Sequence, residues 1–194
     1  MKLIVGLGNP GMLYAFSRHN IGFSIAKALA KARKSSFKKE LGIPALSAGL
    51  KFAGNSVLIA APLTFMNLSG AAVSALLKKY AIEPGNLLVV CDDLDLEFGC
   101  MRIRPQGSSG GHRGLQSIIG QLQSKDFCRL RVGIGRPAES KAAAEYVLSA
   151  FIAREKKELK QIIAKALDCC ETWIKKGTSE AMNEFNQKEK KPHA

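Results

Sequence analysis

MKLIVGLGNPGMLYAFSRHN, residues 1–20, combines an apolar run, a glycine-rich turn, a side-chain amide, an aromatic residue and a histidine. The run Lys2–Val5 is followed by a glycine, which is typical of a short buried strand. Gly6, Gly8 and Gly11 also match the G-x-G-x-x-G pattern of dinucleotide-binding folds. This pattern makes a nucleotide cofactor the first hypothesis.

The residues after the turn argue against a dinucleotide site. In that fold a helix starts at once, and an acidic residue lies about 20 positions after the motif. Here Pro10 lies inside the turn, and seven non-glycine residues separate Gly11 from His19. Residues 30–35 are basic, and although Arg33 would suit an NADP-type site, the loop before it has the wrong shape. We therefore expect that the protein uses no cofactor.

A helix is predicted to start near Asn20 instead. Apolar residues recur there at helical spacing, namely Ile21, Ile25, Ala28, Leu29 and Ala32. Asn20 is suited to the N-cap position, which places His19 just outside the helix, where a loop meets the body of the domain. By position alone, a partly exposed loop histidine is the better explanation of His19.

A second polar side chain follows a predicted strand. Leu46–Leu50 and Ser56–Ala60 are predicted to pair around a turn, and the second strand runs into PLTFMNLSG at 62–70. Ser69 is predicted to cap the helix that follows, so Asn67 lies between a strand end and a helix start. Ligands of open α/β sheets bind at such strand ends, although Asn67 is also suited to simple capping.

A third strand ends in carboxylates. Leu87–Cys91 is the clearest buried strand of the sequence, and Asp92 follows it directly. Burying an unpaired charge is costly, so Asp92 needs an imidazole or a cation beside it. Asp92, Asp93 and Asp95 are alternatively spaced to hold Mg²⁺. The lack of a G-x-x-x-x-G-K-[ST] loop makes this alternative the weaker one.

Two predicted strands carry arginine pairs. Side chains alternate along Cys100–Arg104, so Arg102 and Arg104 share one face, and Arg129 and Arg131 occupy a later strand. If the strands are neighbours, the four guanidinium groups form one patch suited to phosphate oxygens. The same residues would also suit a solvated edge strand.

A glycine-rich loop, GSSGGHRG at 107–114, precedes the predicted helix Leu115–Leu122. Its glycines allow close approach of the backbone, and a helix N-terminus favours an anion. His112 in this loop is a second candidate base, and it is equally well explained as a structural residue.

Length, composition and charge narrow the class of protein. The chain has 194 residues, 46% of them hydrophobic, which fits one domain with a proper core. Its 29 Lys and Arg outnumber 16 Asp and Glu, giving a net charge of +13. Such a surplus favours a polyanionic partner because phosphate contacts release counterions, although a merely basic protein is the alternative.

The remaining composition favours a reduced, metal-free protein of the cytoplasm. Five cysteines form no C-x-x-C pair, and three histidines show no H-x-x-x-H spacing, so we expect free thiols and no metal. No signal peptide or membrane span is recognisable, so a soluble cytoplasmic protein is predicted. The C-terminal part is predicted to be helical, with a single domain over residues 1–186 and a basic, flexible tail over 187–194.

These polar residues together suit one kind of chemistry. The sequence has no G-x-S-x-G nucleophile elbow, since its one match, GSSGG at 107–111, lies within a flexible loop and not on a sharp strand-to-helix turn, and no cysteine is in an obvious Cys–His setting. If the protein is an enzyme, a histidine base oriented by an aspartate would activate water, and asparagine amides would bind the carbonyl or its oxyanion.

The sequence resembles the bacterial peptidyl-tRNA hydrolases over nearly its whole length. The shared signatures are GLGNPG with a following tyrosine and RHN at 6–20, PLTFMNLSG at 62–70, DDLDL at 92–96, GGHRGL at 110–115, and RLRVGIG at 129–135. The resemblance implies a single α/β domain with a twisted mixed β-sheet flanked by helices. It also implies hydrolysis of the ester that joins a peptide to the terminal ribose of tRNA, without a metal or cofactor.

The resemblance implies roles for individual residues. His19 matches the catalytic base, Asp92 the carboxylate that orients it, and Asn9 the amide that selects N-blocked substrates. Asn67 matches an oxyanion or water ligand. The positions that correspond to contacts with the acceptor end or the phosphates of tRNA are Tyr14, Phe65, Asn67, Arg102, Arg104 and Arg131.

One residue departs from the family pattern. Arg113 follows the loop histidine, where the family usually has asparagine, and arginine donates hydrogen bonds but accepts none. A water-positioning role is therefore in doubt there, and contact with a tRNA phosphate is the alternative. The expected partner is peptidyl-tRNA, with the protein acting as a monomer. A non-catalytic RNA-binding module on the same fold is the alternative function.

Overall fold

Seven strands form one mixed sheet in the part of the chain that the computed structural model describes, residues 1–137 and 142–186. The strands are β1 Lys2–Gly6, β2 Lys38–Lys39, β3 Ala45–Phe52, β4 Asn55–Pro62, β5 Leu87–Asp93, β6 Met101–Arg104 and β7 Cys128–Gly133. Their order across the sheet is β2-β3-β4-β1-β5-β7-β6. The four central strands β4, β1, β5 and β7 are parallel, and the outer pairs are antiparallel. The predicted α/β class with a mixed sheet is confirmed.

Helices cover both faces of this sheet. They are α1 Ile21–Ala32, α2 Ser69–Lys79, α3 Arg113–Leu122, α4 Ala143–Leu148, α5 Ala153–Lys176 and α6 Thr178–Phe185. Across the described ranges, no helix combines the length and the apolar character that a bilayer crossing needs. The predicted tail, residues 187–194, lies outside the described residues.

Alternation of side chains along the central strands produces two apolar layers. Ile4 and Val90 point to the layer that contains α1 and α5, including the buried Trp173. Val5 and Val89 point to the opposite layer, which α2 and α3 complete. Each central strand is therefore covered on both faces, as parallel strands require.

Two glycines let α1 approach the sheet closely. A β-carbon at Gly6 would overlap the backbone oxygen of Gly22 in α1, and one at Gly22 would overlap the carbonyl oxygen of Val90. The first glycine of the G-x-G-x-x-G match thus serves helix packing, and the cofactor hypothesis loses its main support. The contact also places the start of α1, just after His19, directly over β1 and β5.

Local details differ from the sequence-based predictions in two places. Lys38–Lys39, for which no strand was predicted, pair with β3 as a short edge strand. Ser69 is already the first residue of α2, and its hydroxyl donates to the carbonyl oxygen of Met66 rather than capping the helix. A 3₁₀ turn at Met66–Leu68 supplies the helix start instead.

The close packing at Gly6 leads to a stability prediction. Gly6→Ala should lower the free energy of unfolding by about 3 kcal/mol, because the added methyl group meets backbone that cannot move away. Gly49→Ala is the matched control, since a β-carbon there meets no atom within 4 Å. It should change the unfolding free energy by less than about 0.5 kcal/mol. Urea denaturation measures both, and equal effects would contradict the packing argument.

Candidate active site

The carboxyl ends of the central parallel strands open into one cavity of about 580 Å³. Loops after β1, β4 and β5, the start of α3 and the helix α4 contribute to its wall. Seven of the predicted site residues line it, namely Asn9, His19, Phe65, Asn67, Asp92, Arg113 and Arg131. The fold therefore brings together side chains that are far apart in the sequence.

One carboxylate oxygen joins two imidazoles at the base of the cavity. Oδ1 of Asp92 lies 2.7 Å from Nδ1 of His19 and 3.0 Å from Nε2 of His112. The other ring nitrogen of His112, Nδ1, accepts the backbone N–H groups of Gly114 and Leu115. Nε2 of His112 must therefore carry the proton that it donates to Asp92.

The same logic sets the tautomer of His19. A carboxylate can only accept, so Nδ1 of His19 donates to Asp92. In the neutral ring this leaves Nε2 of His19 without a proton. The pair therefore has the geometry of a general base held by a carboxylate.

The charge state of Asp92 follows from the balance of burial and partners. The side chain is almost wholly buried, and burial by itself raises the pKa of the carboxyl group. Charge and hydrogen bonding from His112, together with those from His19, outweigh burial and hold this pKa well below its usual range. Asp92 is therefore ionised at neutral pH.

His112 is a positioning residue in this arrangement. It is the N-cap of α3, and its ring spans the gap between the helix start and Asp92. The sequence left its role open between a base and a structural residue, and both of its ring nitrogens are engaged within the protein. The GGH segment before a predicted helix was the available signal, since an N-cap acceptor was to be expected there.

Asn20 does not cap α1 with its side chain, contrary to expectation. Its amide instead holds the backbone of Asn9, accepting from the N–H at 2.8 Å and donating to the carbonyl at 2.9 Å. Oδ1 of Asn9 in turn accepts the N–H of Met66 at 2.8 Å. The NH₂ group of Asn9 is therefore the end of its amide that remains for the cavity.

Phe65 precedes the 3₁₀ turn that follows β4, and Asn67 lies within that turn. Phe65 is 55% exposed and extended, and Asn67 is exposed within the turn. Both line the cavity, as the position of PLTFMNLSG after a strand suggested.

The four arginines do not form one surface patch. β6 and β7 are neighbours, with Arg102 opposite Arg131 and Arg104 opposite Arg129. Arg129, however, is buried and donates to the carbonyl oxygens of Phe127, Lys125 and Gly107. Its guanidinium therefore supports the loops around β7, and the predicted four-residue patch is wrong at this position.

Arg131 has a different environment, at the wall of the cavity. It pairs with Asp93 at 3.1 Å and donates to the carbonyl oxygens of Ser108 and Ser109. Arg113, the first residue of α3, is exposed and also faces the cavity.

Three predicted site residues lie away from the cavity wall. Tyr14 is half-buried in a 3₁₀ turn at Met12–Tyr14, and Arg102 and Arg104 lie on the edge strand β6. None of the three lines the cavity. Any contact that they make with a substrate would be to a part that extends beyond the cavity.

The acidic residues at the end of β5 and just after it are paired within the protein and do not converge on a cation. The two oxygens of Asp93 accept from the N–H of Asp95 and from Arg131, and Asp95 pairs with Arg136 at the surface. His19, Asp92 and His112 do bring ligand-type atoms within 4.8 Å of one another. Both histidines, however, direct a protonated nitrogen at Asp92, so these atoms suit hydrogen bonding rather than metal ligation.

A buried ion pair anchors the turn that carries His19. Arg18 is 4% exposed at its side chain and makes two bonds to Glu155 in α5, at 2.8 and 2.7 Å. The Arg18 guanidinium also lies 4.3 Å from the ring centroid of Tyr146 in α4. The residue next to His19 is thus fixed to two helices.

An imidazole–carboxylate pair at the carboxyl edge of a mixed α/β sheet is the layout of a hydrolytic enzyme. Comparison with known proteins gives the particular family. Residues 3–193 match the family description "Peptidyl-tRNA hydrolase", and the chain belongs to that family.

Individual relatives agree with this assignment. The peptidyl-tRNA hydrolase of Desulforudis audaxviator is 47% identical over 186 residues, covering 96% of this chain and 93% of the relative. That of Aquifex aeolicus is 43% identical over 189 residues, covering 97% and 98%. The crystal structure of the Acinetobacter baumannii peptidyl-tRNA hydrolase matches with a TM-score of 0.90 and 34% identity over 96% of this chain and 94% of that one. The family and the fold inferred from the sequence are confirmed.

The Arg18–Glu155 pair leads to a prediction about stability and pH. Burial by itself raises the pKa of the Glu155 carboxyl group. Hydrogen bonds from Arg18 and the N–H of Ile152 lower this pKa by more than burial raises it, so the net shift is downward. The stabilisation is therefore complete above the ordinary glutamate pKa of about 4.3 and is lost as pH falls through the depressed folded value. Glu155→Gln should lower the unfolding free energy at pH 7 by about 2 kcal/mol, because it leaves a buried guanidinium without a counter-charge.

Glu180→Gln is the matched control, since Glu180 pairs only at the surface, 3.9 Å from Lys176. It should have almost no effect. Denaturation curves at neutral and acidic pH compare the variants. A Glu155→Gln protein that loses as much stability in acid as the wild type would contradict the assigned role.

Proposed function

We propose that this protein hydrolyses the ester bond between the peptide and the terminal ribose of peptidyl-tRNA, which recycles the tRNA. The observation that carries the proposal is the 2.7 Å contact between Nδ1 of His19 and Oδ1 of Asp92, with Nε2 left as a base at the cavity. The family to which the chain belongs supports the substrate class.

His19 acts as the general base in this mechanism. Its Nε2 takes a proton from water, and the resulting hydroxide attacks the ester carbonyl carbon. The ionised Asp92 stabilises the imidazolium that forms, because the charge pair is shielded from solvent. The carbon–oxygen bond to the ribose then breaks, and the imidazolium returns its proton to the ribose oxygen. The products are a tRNA with a free terminal hydroxyl group and the carboxylic acid of the peptide, which ionises by releasing its proton to solvent.

Two asparagines have separate roles in the proposal. Asn67 and nearby backbone N–H groups stabilise the oxyanion of the tetrahedral intermediate. Asn9 offers only its NH₂ group, because its oxygen already accepts from Met66. An NH₂ donor suits the carbonyl of an N-blocked residue and repels the ammonium group of a free aminoacyl-tRNA. This supports selection of N-blocked substrates.

Basic and aromatic residues around the cavity bind the tRNA. Phe65 and Tyr14 contact the acceptor end, and the net charge of +13 favours its phosphates. The phosphate-binding residues of the proposal are Arg113, Arg131, Arg102 and Arg104. Arg131 would bind a phosphate while it is held by Asp93, so it is oriented before the tRNA arrives. We further propose that the enzyme works in the cytoplasm as a monomer without an obligate protein partner or a cofactor.

The proposal predicts a specific defect in His19→Ala. With N-acetyl-aminoacyl-tRNA as substrate, kcat should fall by at least about 10³-fold, because both the proton acceptor and the proton donor are lost. The Kd for tRNA, measured by filter binding, should stay within about twofold, since the arginines remain.

His193→Ala carries the same substitution in the third histidine of the chain and should keep wild-type activity. The unblocked aminoacyl-tRNA, run beside the blocked form, should be a poor substrate. Full activity of His19→Ala would refute the assigned base. A wild-type protein that binds tRNA and releases no peptide would instead indicate a non-catalytic RNA-binding module.

A further inference from the structure

Three large apolar side chains lie exposed in one short segment after β1. Met12, Leu13 and Phe16 are 84%, 86% and 73% exposed. Clusters of water-exposed apolar side chains often mark a binding surface. No charged residue occurs anywhere in residues 3–17, so this surface does not suit a phosphate backbone.

Both ends of the segment adjoin residues that line the cavity, Asn9 and His19. Met12 is three residues from Asn9, and Phe16 is three residues from His19, so each lies within about 11 Å of a residue that lines the cavity. Ser17, next to Phe16, forms a bridge with Ala150, two residues after Leu148. Leu148 lines the cavity and is 44% exposed. Met12, Leu13, Phe16 and Leu148 are named the apolar rim below.

Met12, Leu13 and Phe16 of the apolar rim follow β1, whereas Arg131 and Arg102 lie on β7 and β6. Along the edge of the sheet, β1 precedes β5, and β5 precedes β7 and β6, which carry Arg131 and Arg102. Asp92, near the end of β5, lies between them along this edge, and His19 contacts it. An ester held at His19 has two substituents, the peptide and the tRNA, which must extend in different directions. The tRNA phosphates suit the arginine side, and the peptide is left for the exposed rim, beside the half-buried Tyr14 that contacts the acceptor end.

We propose that the apolar rim binds side chains of the peptide, a few residues beyond the one that is esterified to the tRNA. The inference rests on the proposed function and adds a substrate preference to it. An extended chain advances about 3.3 Å per residue, so three residues beyond the ester carbonyl reach the distance of Met12 and Phe16. The enzyme therefore prefers peptidyl-tRNAs whose peptide carries apolar residues at those positions, while a single N-acetylated residue is too short to reach the rim.

The experiment compares three substrates on one tRNA. They are N-acetyl-leucyl-tRNA, a peptidyl-tRNA with three further apolar residues before that leucine, and its counterpart with three serines. The wild type should show the lowest KM for the apolar peptide. The triple variant Met12→Ser, Leu13→Ser, Phe16→Ser should raise that KM about 10-fold, which corresponds to 1.4 kcal/mol of lost contact. The KM for the other two substrates, and kcat for all three, should change little.

Leu41→Ser is the matched control. Leu41 is 91% exposed. It lies in the turn between β2 and β3, at the edge of the sheet opposite β6. It should change no KM. A thermal melt of the triple variant should match the wild type, because the replaced side chains have few neighbours to lose.

Each other result has a definite meaning. An unchanged KM for the apolar peptide would overturn the proposal, and an equal rise for all three substrates would assign the rim to the tRNA or to loop geometry. If sedimentation shows a wild-type dimer that the triple variant lacks, with KM unchanged, the rim binds a second copy instead. A wild type that hydrolyses none of the three substrates would refute the proposed function itself, whereas hydrolysis without peptide discrimination would refute only the rim.

Discussion

A single buried oxygen, Oδ1 of Asp92, accepts a hydrogen bond from each of two histidines. A buried carboxylate without partners would be strongly destabilising, so its two donors are required by the fold as well as by the chemistry. One donor, His112, is itself locked by the backbone at the start of α3. The other, His19, is left with a free nitrogen. His112 thus holds Asp92 in place at the start of α3. Because a carboxylate only accepts, Asp92 in turn fixes the proton of His19 on Nδ1.

The surrounding structure holds this geometry from several directions. Glycine contacts bring α1 against β1 and β5, which sets the height of His19 over the sheet. The Arg18–Glu155 pair ties the preceding residue to α5. Asn20, the following residue, holds the backbone of Asn9. The three consecutive residues Arg18–Asn20 therefore connect a helix, a base and a substrate-binding loop, and no part of this turn can shift without disturbing the others.

Much of the fold was predictable, because it depends on local periodicity and on strand ends. The α/β class, the β3–β4 pair, the buried strand before Asp92 and the long helix α5 all follow from patterns within short windows. The meeting of His19, Asn67 and Asp92 was also within reach, since parallel strands end at the same edge of a sheet.

The rest depends on partners that are distant in sequence. Asn20 was suited to a cap, yet a stronger set of partners exists in Asn9, eleven positions earlier. Arg129 shares one face of a strand with Arg131, but only the packed loops show that its guanidinium is enclosed. His112 required knowledge of which loop lies over β5. Propensity and spacing describe each element alone, and these roles arise between elements.

The central claim concerns protons, so nitrogen NMR of isotope-labelled histidine tests it most directly. Spectra at alkaline pH, assigned with His19→Ala and His112→Ala, distinguish protonated from bare ring nitrogens. The account predicts a proton on Nδ1 and none on Nε2 for His19, with the opposite arrangement for His112. A His19 that carries its proton on Nε2 would contradict the account, because its cavity-facing nitrogen would then have no lone pair to accept a proton from water.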